Sequence, residues 1–250
     1  MCNRALLLAP LLAMLLAADA PAIGRSRILQ SAREIPMIES VDVIVVGGSS
    51  AGVAAAESAA RGGADVFLAA PRPYLGEDLC ATLRLELAED ESPSTPLAEK
   101  LFSNGRRATP AHIKATLADT LLQAGVQFRY GSYVTDVLRD RSGNPCGVVI
   151  ANRGGRQAIR GNIIIDATDY AWVCRMAGCK TTPWLRGKVR FERTVIRGNG
   201  KKGREGASET LAFDIDMPDF SFAALAAAEN EARDKTPDDV LRASETLFCV

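Results

Sequence analysis

Several residue types that would point to a particular chemistry are scarce in this sequence. It contains 1 histidine in 250 residues, 30 basic side chains balance 30 acidic ones, and aromatic residues make up 6%. A histidine-rich metal cage therefore cannot form, so we predict no metal site. The neutral charge balance and the few aromatic residues also argue against a nucleic-acid partner. With 47% hydrophobic residues, the composition is typical of a globular protein with one large domain or two small ones.

Long apolar runs are scarce as well, and the clearest one lies at the start of the chain. Arg4 precedes an apolar stretch over residues 5–18, and small residues follow over 19–22. This layout is typical of a secretory signal and is short for a bilayer span. An uncleaved anchor or a wrongly assigned start codon are the alternatives. We expect a secreted or periplasmic protein with no membrane span after signal removal, and a linker over residues 23–40.

The cysteines form no CxxC pair, which argues against a zinc ribbon or a thioredoxin-like dithiol. Once Cys2 has left with the signal, the remaining number is odd, so at least one thiol is free or pairs between chains. These remaining cysteines are Cys80, Cys146, Cys174, Cys179 and Cys249. Cys174 and Cys179 either bridge each other or remain as buried thiols.

The first folded segment reads as a strand, a glycine turn, a helix and a second strand. Val41–Val46 is an apolar run with almost no polar break, as in a strand buried on both faces of a parallel sheet. The alanine-rich stretch Val53–Arg61 predicts a helix that ends at the pair Gly62-Gly63. A buried strand over Val66–Ala69 completes a β-α-β unit of the size found in dinucleotide-binding domains.

The turn in this unit suits an anionic ligand. Gly47 permits a sharp bend out of the strand, and Gly52 allows close packing of the helix. The free amides at the helix start and the helix dipole favour an anion there, with a pyrophosphate as the natural occupant. Ser49 replaces the middle glycine of the fingerprint, and its hydroxyl can donate to a phosphate oxygen. Val53 and Ala54 stand where a P-loop has Lys and Ser or Thr, so that motif is disfavoured; a turn without a ligand is the structural alternative.

One residue of the fingerprint is missing. The carboxylate that binds the ribose hydroxyls normally ends the second strand, about 20 residues after the glycines, and here that place is Ala70. Glu77 and Asp78 come several residues later and can reach the site only if the loop folds back. The ribose is then held by backbone and water, or binding is weak, or the site has decayed.

Val43–Gly52, the alanine-rich helix and Pro71–Gly76 resemble the opening of FAD-dependent oxidoreductases of the glutathione-reductase-like fold. A second block agrees with this resemblance. It contains a helix over Pro110–Ala124 capped by Thr109, a short strand over 125–129, a β-meander, and a buried strand over residues 162–168 that ends in Ala-Thr. Asp169 stands where the family has glycine, and a helix over Tyr170–Gly178 follows.

The resemblance covers about residues 41–180 and implies an FAD site. In that family the turn binds the pyrophosphate, the end of the second strand lies near the ribose, the meander offers backbone atoms to the adenine, and the Ala-Thr turn closes over the cofactor. The corresponding residues here are Gly47, Gly48, Ser49, Ser50, Ala51 and Gly52 in the turn, Ala70 and Arg72 near the ribose, Val134 at the adenine, and Ala167 and Thr168 over the cofactor.

Other reaction classes of related folds lack their key residues. A redox-active CxxxxC motif beginning at Cys80 is absent because Leu85 occupies its second position. No tyrosine has a lysine four residues later, so the Tyr-x-x-x-Lys pair of short-chain dehydrogenases is missing. His112 lies in the first turns of a predicted surface helix and is a poor catalytic candidate. No catalytic residue can therefore be named.

Residues 181–250 read as the start of a substrate domain. Strands are predicted over Lys188–Ile196 and Leu211–Ile215, and a helix is predicted over Phe222–Asp234. The basic segment Arg197–Arg204 is either a flexible solvated loop or an anion-binding loop. A further helix is expected to start at Thr236–Asp239. The family completes its flavin site with a later Gly-Asp segment that is not found here, so the resemblance implies the N-terminal part of a longer flavoprotein.

We therefore predict an α/β fold, with a Rossmann-like FAD/NAD(P)-binding domain, a β-meander and the start of a second α+β substrate domain. The predicted function is an exported FAD-dependent oxidoreductase acting on a small molecule. A degenerate, non-catalytic nucleotide-binding remnant is the first alternative. An NAD-linked dehydrogenase that uses the same turn is the second.

Overall fold

The structure is a computed structural model that describes residues 32–182, 186–197, 207–219 and 221–238. The predicted signal segment, most of the basic loop, Cys249 and most of the last predicted helix lie outside the described residues. Within the described part, contacts group the chain from Ile35 onward into one compact unit. None of the helices described there is long and apolar enough to cross a membrane.

A six-stranded sheet forms the framework, in the order β3-β2-β1-β6-β5-β4. Strands β3, β2, β1 and β6 run parallel, and β5 and β4 extend the sheet through antiparallel pairs. The strands are β1 Met37–Val46, β2 Val66–Ala69, β3 Gln127–Arg129, β4 Tyr133–Arg139, β5 Pro145–Asn152 and β6 Gly155–Asp166. The parallel half with its crossover helix and the β-meander confirm the predicted fold class.

The apolar runs of β1 and β2 are buried on both faces because their side chains alternate between two cores. Val43 and Val45 pack with Leu68 in one hydrophobic cluster, whereas Ile44 packs with Phe67 in the other. The first cluster also contains the buried sides of α1 (Ser50–Arg61) and α4 (Pro110–Gln123). This burial explains why both strands lack the alternating polar pattern of an exposed sheet.

Three boundaries differ from the sequence prediction. Strand β1 begins at Met37, so residues 37–40 of the predicted linker pair with β6. Helix α1 begins at Ser50 because the Ser49 side chain caps it, so the second half of the turn, residues 50–52, is helical. The last meander strand and the expected strand over 162–168 form one continuous strand that ends at Asp166. Glycine is depleted in strands, so Gly161 separates the two predicted strands in the sequence pattern although the strand continues through it.

Two short helices escape the sequence prediction, α2 (Glu77–Cys80) and α3 (Pro96–Leu101). Helix α5 spans Trp172–Ala177 and ends at Gly178, which has a φ of +82°. The predicted cap of α4 is confirmed, since the Thr109 side chain accepts a hydrogen bond from the His112 amide at 3.2 Å. Cys80, Cys146, Cys174 and Cys179 are free, so the alternative of a Cys174–Cys179 bridge is not adopted.

The later part of the described chain forms an antiparallel hairpin with a helix against it. Strands β7 (Gly187–Arg197) and β8 (Ala207–Met217) pair along their length. Helix α6 spans Phe222–Asp234, as predicted, and contributes Ala228 and Ala232 to a small cluster. Both strands are longer at each end than the sequence pattern indicated.

Candidate functional site

The glycine turn lies at the carboxyl end of β1 and packs directly against the end of β6. Gly47 has a φ of +121°, a conformation that favours glycine. A Cβ atom at this position would lie 2.3 Å from the Ala167 carbonyl oxygen. The Gly47 amide donates to the Ala69 carbonyl at 2.9 Å, which ties the turn to β2 as well. The bend therefore requires a residue without a side chain.

Ser49 acts as a structural cap in place of the middle glycine. Its side chain is 6% exposed and accepts a hydrogen bond from the Gly52 amide at 3.1 Å. The same hydroxyl donates to the Ala167 carbonyl at 3.4 Å. A Cβ atom at Gly52 would lie 2.5 Å from the Gly47 carbonyl oxygen, so this glycine permits close packing of α1 on the turn. The Ser49 side chain therefore points into the protein and leaves the outer side of the turn clear.

The segment after β2 folds back onto the turn. The Gly76 amide donates to the Gly48 carbonyl at 2.7 Å, and Gly76 has a φ of +79°. A Cβ atom at Gly76 would lie 2.7 Å from a Leu117 methyl group and 2.9 Å from an Ile113 methyl group. Because Gly76 fits so closely against α4, helix α2 starts beside the glycine turn.

The fold-back brings Asp78 to the start of α1. Its carboxylate accepts the Ser50 amide at 2.8 Å and also accepts the Ser50 hydroxyl. The Ser50 amide belongs to the first turn of α1, where amides without an intrahelical partner favour an anion. An internal carboxylate therefore occupies a donor that the sequence analysis assigned to a pyrophosphate.

The fold-back also brings Glu77 to the glycine turn. Its side chain is 15% exposed and lies near the Gly48 amide. Burial and the nearby carboxylate of Asp169 raise the pKa of Glu77, while Arg72 opposes that shift. The Arg72 Nε atom lies 3.5 Å from a Glu77 carboxylate oxygen. Three carboxylates and one guanidinium thus surround the turn.

An open cleft of about 380 Å³ lies beside the turn, at the carboxyl ends of the parallel strands. Ligands of open α/β sheets bind at this edge. Aromatic side chains form much of its wall, with Tyr133 at 58%, Tyr170 at 70% and Trp172 at 55% exposure. The lining residues are Val46, Pro71, Arg72, Glu77, Ser132, Tyr133, Val134, Thr168, Asp169, Tyr170 and Trp172.

Asp166 organises the loop that borders this cleft. Its Oδ1 atom accepts the Thr168 amide at 3.1 Å and the Thr168 hydroxyl at 2.7 Å, and its Oδ2 atom accepts the Cys174 amide at 2.9 Å. Burial opposes ionisation of this carboxyl group, but the hydrogen bonds outweigh it and lower the pKa of Asp166. The Thr168 hydroxyl also accepts the Trp172 amide at 2.9 Å. One carboxylate therefore fixes the Ala-Thr turn and the start of α5.

We predict that Asp166→Asn lowers the free energy of unfolding by about 1–3 kcal/mol at pH 7, because an amide cannot accept all three hydrogen bonds. The native pKa lies below the unfolded one, so the carboxylate's contribution is present above the unfolded value and is lost as pH falls through the native value. Urea unfolding of the wild type and the variant at pH 7 and pH 3 measures the difference in their free energies of unfolding. A difference between the two proteins that does not shrink at pH 3 would contradict the assignment. Asp119→Asn, on the exposed side of α4, is the control.

The structure brings together part of the predicted site. Arg72, Val134 and Thr168 line one cleft, and Ala167 contacts the glycine turn. Ala70 is fully buried beneath Gly48, where a Cβ atom would lie 3.0 Å from the Ala70 methyl group. The roles of these residues, together with Ser50 and Ala51, in binding a cofactor stay predictions.

Sequence reasoning missed the acidic groups beside the turn and the aromatic groups in the wall of the cleft. It considered Glu77 and Asp78 only as possible ribose ligands, whereas Asp78 binds the Ser50 amide of the turn and Glu77 lies near the Gly48 amide. It also missed the aromatic wall formed by Tyr133, Tyr170 and Trp172. The pair Leu75-Gly76 carried a signal for the fold-back, since a glycine before two acidic residues suggests a tight turn into a capped helix.

Comparison with known proteins adds three solved structures that resemble this chain. One is a geranylgeranyl bacteriochlorophyll reductase-like protein from Thermoplasma acidophilum, with 17% identity, a TM-score of 0.48, and coverage of 70% of this chain and 56% of the other. A myxobacterial FAD-dependent halogenase has 19% identity, a TM-score of 0.44, and coverage of 67% and 46%. A flavoprotein/dehydrogenase from Cytophaga hutchinsonii has 21% identity, a TM-score of 0.42, and coverage of 64% and 47%.

The chain thus spans about half the length of these proteins. No curated protein matches the sequence. A family model does match, over residues 42–183, and its description is FAD dependent oxidoreductase. This match covers more than half of the 250 residues and includes the turn, the meander and the loop at Asp166. The chain therefore belongs to the FAD dependent oxidoreductase family, and FAD is the cofactor of that family.

Proposed function

We propose that this chain forms the FAD-binding part of an exported oxidoreductase that acts on a small molecule. The observation that supports it most directly is the turn at Gly47, whose backbone conformation and close contact with Ala167 suit a dinucleotide-binding unit. The signal-like residues 1–22 support export.

The backbone of the site fits a dinucleotide, while two side chains beside it do not. Residues 47–52 would hold the diphosphate through their amides and the N-terminus of α1. Arg72 would lie near the ribose, and the backbone of Val134 near the adenine. When bound, the flavin supplies hydride or electron transfer. Glu77 and Asp78 contradict this fit, because Asp78 occupies the Ser50 amide of the same turn and Glu77 lies beside it.

The second candidate, a remnant that keeps the fold without redox function, is favoured by this same observation. Carboxylates at the turn and near it, from Glu77, Asp78 and Asp169, repel a diphosphate. A protein under no selection for the cofactor would tolerate them. The two candidates differ in a directly measurable property, which is whether the folded protein binds FAD.

We predict that the purified protein binds FAD in preference to NAD, because the meander and the Ala-Thr turn resemble those of flavoproteins. Quenching of FAD fluorescence, a perturbed flavin absorption spectrum and a thermal shift at saturating FAD measure this. A parallel titration with NAD is the control. A folded protein without any response to FAD would contradict the oxidoreductase and favour the remnant. A stronger response to NAD would favour the dehydrogenase alternative.

A further inference from the structure

We propose that the carboxylates of Glu77 and Asp78 act as an internal ligand of the glycine turn. In the FAD-free protein they close the diphosphate site, and FAD binds only by displacing them. This inference rests on the proposed function, since it describes how the cofactor enters the same site. The protein's own side chains thereby limit its affinity for FAD.

Asp78 contacts Ser50 at the start of α1. The carboxylate accepts both the amide and the hydroxyl of Ser50, with the amide nitrogen 2.8 Å away. Hydrogen bonds to a charged acceptor are stronger than those between neutral groups. The Ser50 amide starts α1, so the dipole of this 12-residue helix also favours the negative charge. A diphosphate would use the same donors, and the two anions exclude each other.

Glu77 lies beside the same turn, near Gly48. The Glu77 carboxylate lies near the Gly48 amide, so the two acidic residues flank the turn together, with Asp78 bound to the Ser50 amide. Asp169 faces Glu77 from the loop after β6, and Arg72 faces it from the segment after β2. Arg72 is 57% exposed and therefore neutralises the group only weakly. The turn is therefore surrounded by negative charge, and binding of a diphosphate is unfavourable while both carboxylates remain in place.

Displacement of the two carboxylates requires only the rotation of their side chains while the backbone stays in place. Leu75 is fully buried, and Gly76 is held between the Gly48 carbonyl and the methyl groups of α4. The Asp78 carbonyl accepts the Thr82 hydroxyl, which holds the main chain on its other side. The side chains of Glu77 and Asp78, in contrast, are only partly buried, and Glu77 borders the open cleft. Rotation toward solvent frees the amides and leaves α2 in position.

A purely structural role is the competing explanation. Acidic residues in the first turn of a helix stabilise it, and α2 begins with Glu77 and Asp78. That role predicts a loss of stability on neutralisation and leaves the affinity for FAD unchanged. The internal-ligand role predicts a gain in FAD affinity on neutralisation. The sign of the change in affinity therefore separates the two.

The test compares FAD binding by the wild-type chain, Glu77→Gln, Asp78→Asn and the double variant, by fluorescence titration at pH 7. Each neutral side chain removes a charged competitor for an amide, so we expect the Kd for FAD to fall roughly tenfold for each single variant. The double variant is expected to bind most tightly. Asp119→Asn, which removes one exposed charge from α4, is expected to change the Kd less than about twofold.

A second measurement does not depend on the cofactor. In Asp78→Asn the Ser50 amide loses a charged acceptor, so its hydrogen exchange is expected to accelerate while the core strands stay protected. Should Asp78→Asn fold poorly, Glu77→Gln alone gives the affinity test. Equal or higher Kd values in the variants would overturn the internal ligand and leave the proposed function standing. Failure of every variant to bind FAD would overturn both proposals.

Discussion

Replacing Gly47 with alanine is expected to abolish FAD binding and to lower the free energy of unfolding by about 2–5 kcal/mol. Two costs add at this position. The backbone has a φ of +121°, which is strained for alanine, and the new methyl carbon would lie 2.3 Å from the Ala167 carbonyl oxygen. Urea unfolding measures the stability, and FAD fluorescence measures binding. Wild-type stability in Gly47→Ala would contradict the close approach of β1 and β6.

Gly105→Ala is the matched control for this prediction. Gly105 has a similar φ of +116°, yet no atom lies within 4 Å of where its Cβ would be. This variant carries the backbone strain without the collision, so we expect a loss of about 1–2 kcal/mol. Binding of FAD should be unchanged. The difference between the two variants isolates the contact between the turn and Ala167.

Leu117→Ala is expected to lower the free energy of unfolding by about 2–5 kcal/mol, the usual cost of a cavity in a close-packed core. Leu117 is fully buried on the inner side of α4, and a methyl group of its side chain supports Gly76 at the start of α2. Urea unfolding measures the loss. Because the cavity lies under Gly76, we also expect faster hydrogen exchange over residues 76–80.

Leu122→Ala controls for the change in helix propensity and side-chain volume. Leu122 lies on the same helix but is 64% exposed. Its replacement should therefore change the stability by less than about 0.5 kcal/mol. Equal losses at the two positions would show that α4 does not pack as described.

The framework of the fold could be predicted because its signals are local. The apolar run of β1 predicts a strand buried on both faces, and Thr109 followed by a proline predicts the start of α4. Helices α2 and α3 were missed because four and six residues are too few to show a helical period. The continuity of β6 was missed because Gly161 reads as a break. Its lack of a side chain instead makes room for Ile44, whose Cγ1 would lie 2.7 Å from a Cβ there.

The glycines of the candidate site could be predicted from the sequence, whereas the positions of its charged side chains could not. Gly47 and Gly52 act through backbone geometry, which a short motif specifies. The positions of Glu77 and Asp78 depend on the left-handed conformation of Gly76 and on its packing against α4. That packing joins residues about 40 positions apart, and local sequence patterns do not encode it. The same holds for Trp172, which borders the cleft because Asp166 and Thr168 fix the start of α5.

The contact between the glycine turn and Ala167 joins the ends of β1 and β6 into one continuous base under the cleft. The Ala167 amide donates to the Val46 carbonyl at 2.8 Å, while its own carbonyl fills the space that a side chain at Gly47 would need. This hydrogen bond and this close contact hold the ends of β1 and β6 together beneath the cleft. Any molecule that enters lies across the strand ends, and adaptation to its shape falls to the rim, where the acidic and aromatic side chains can turn.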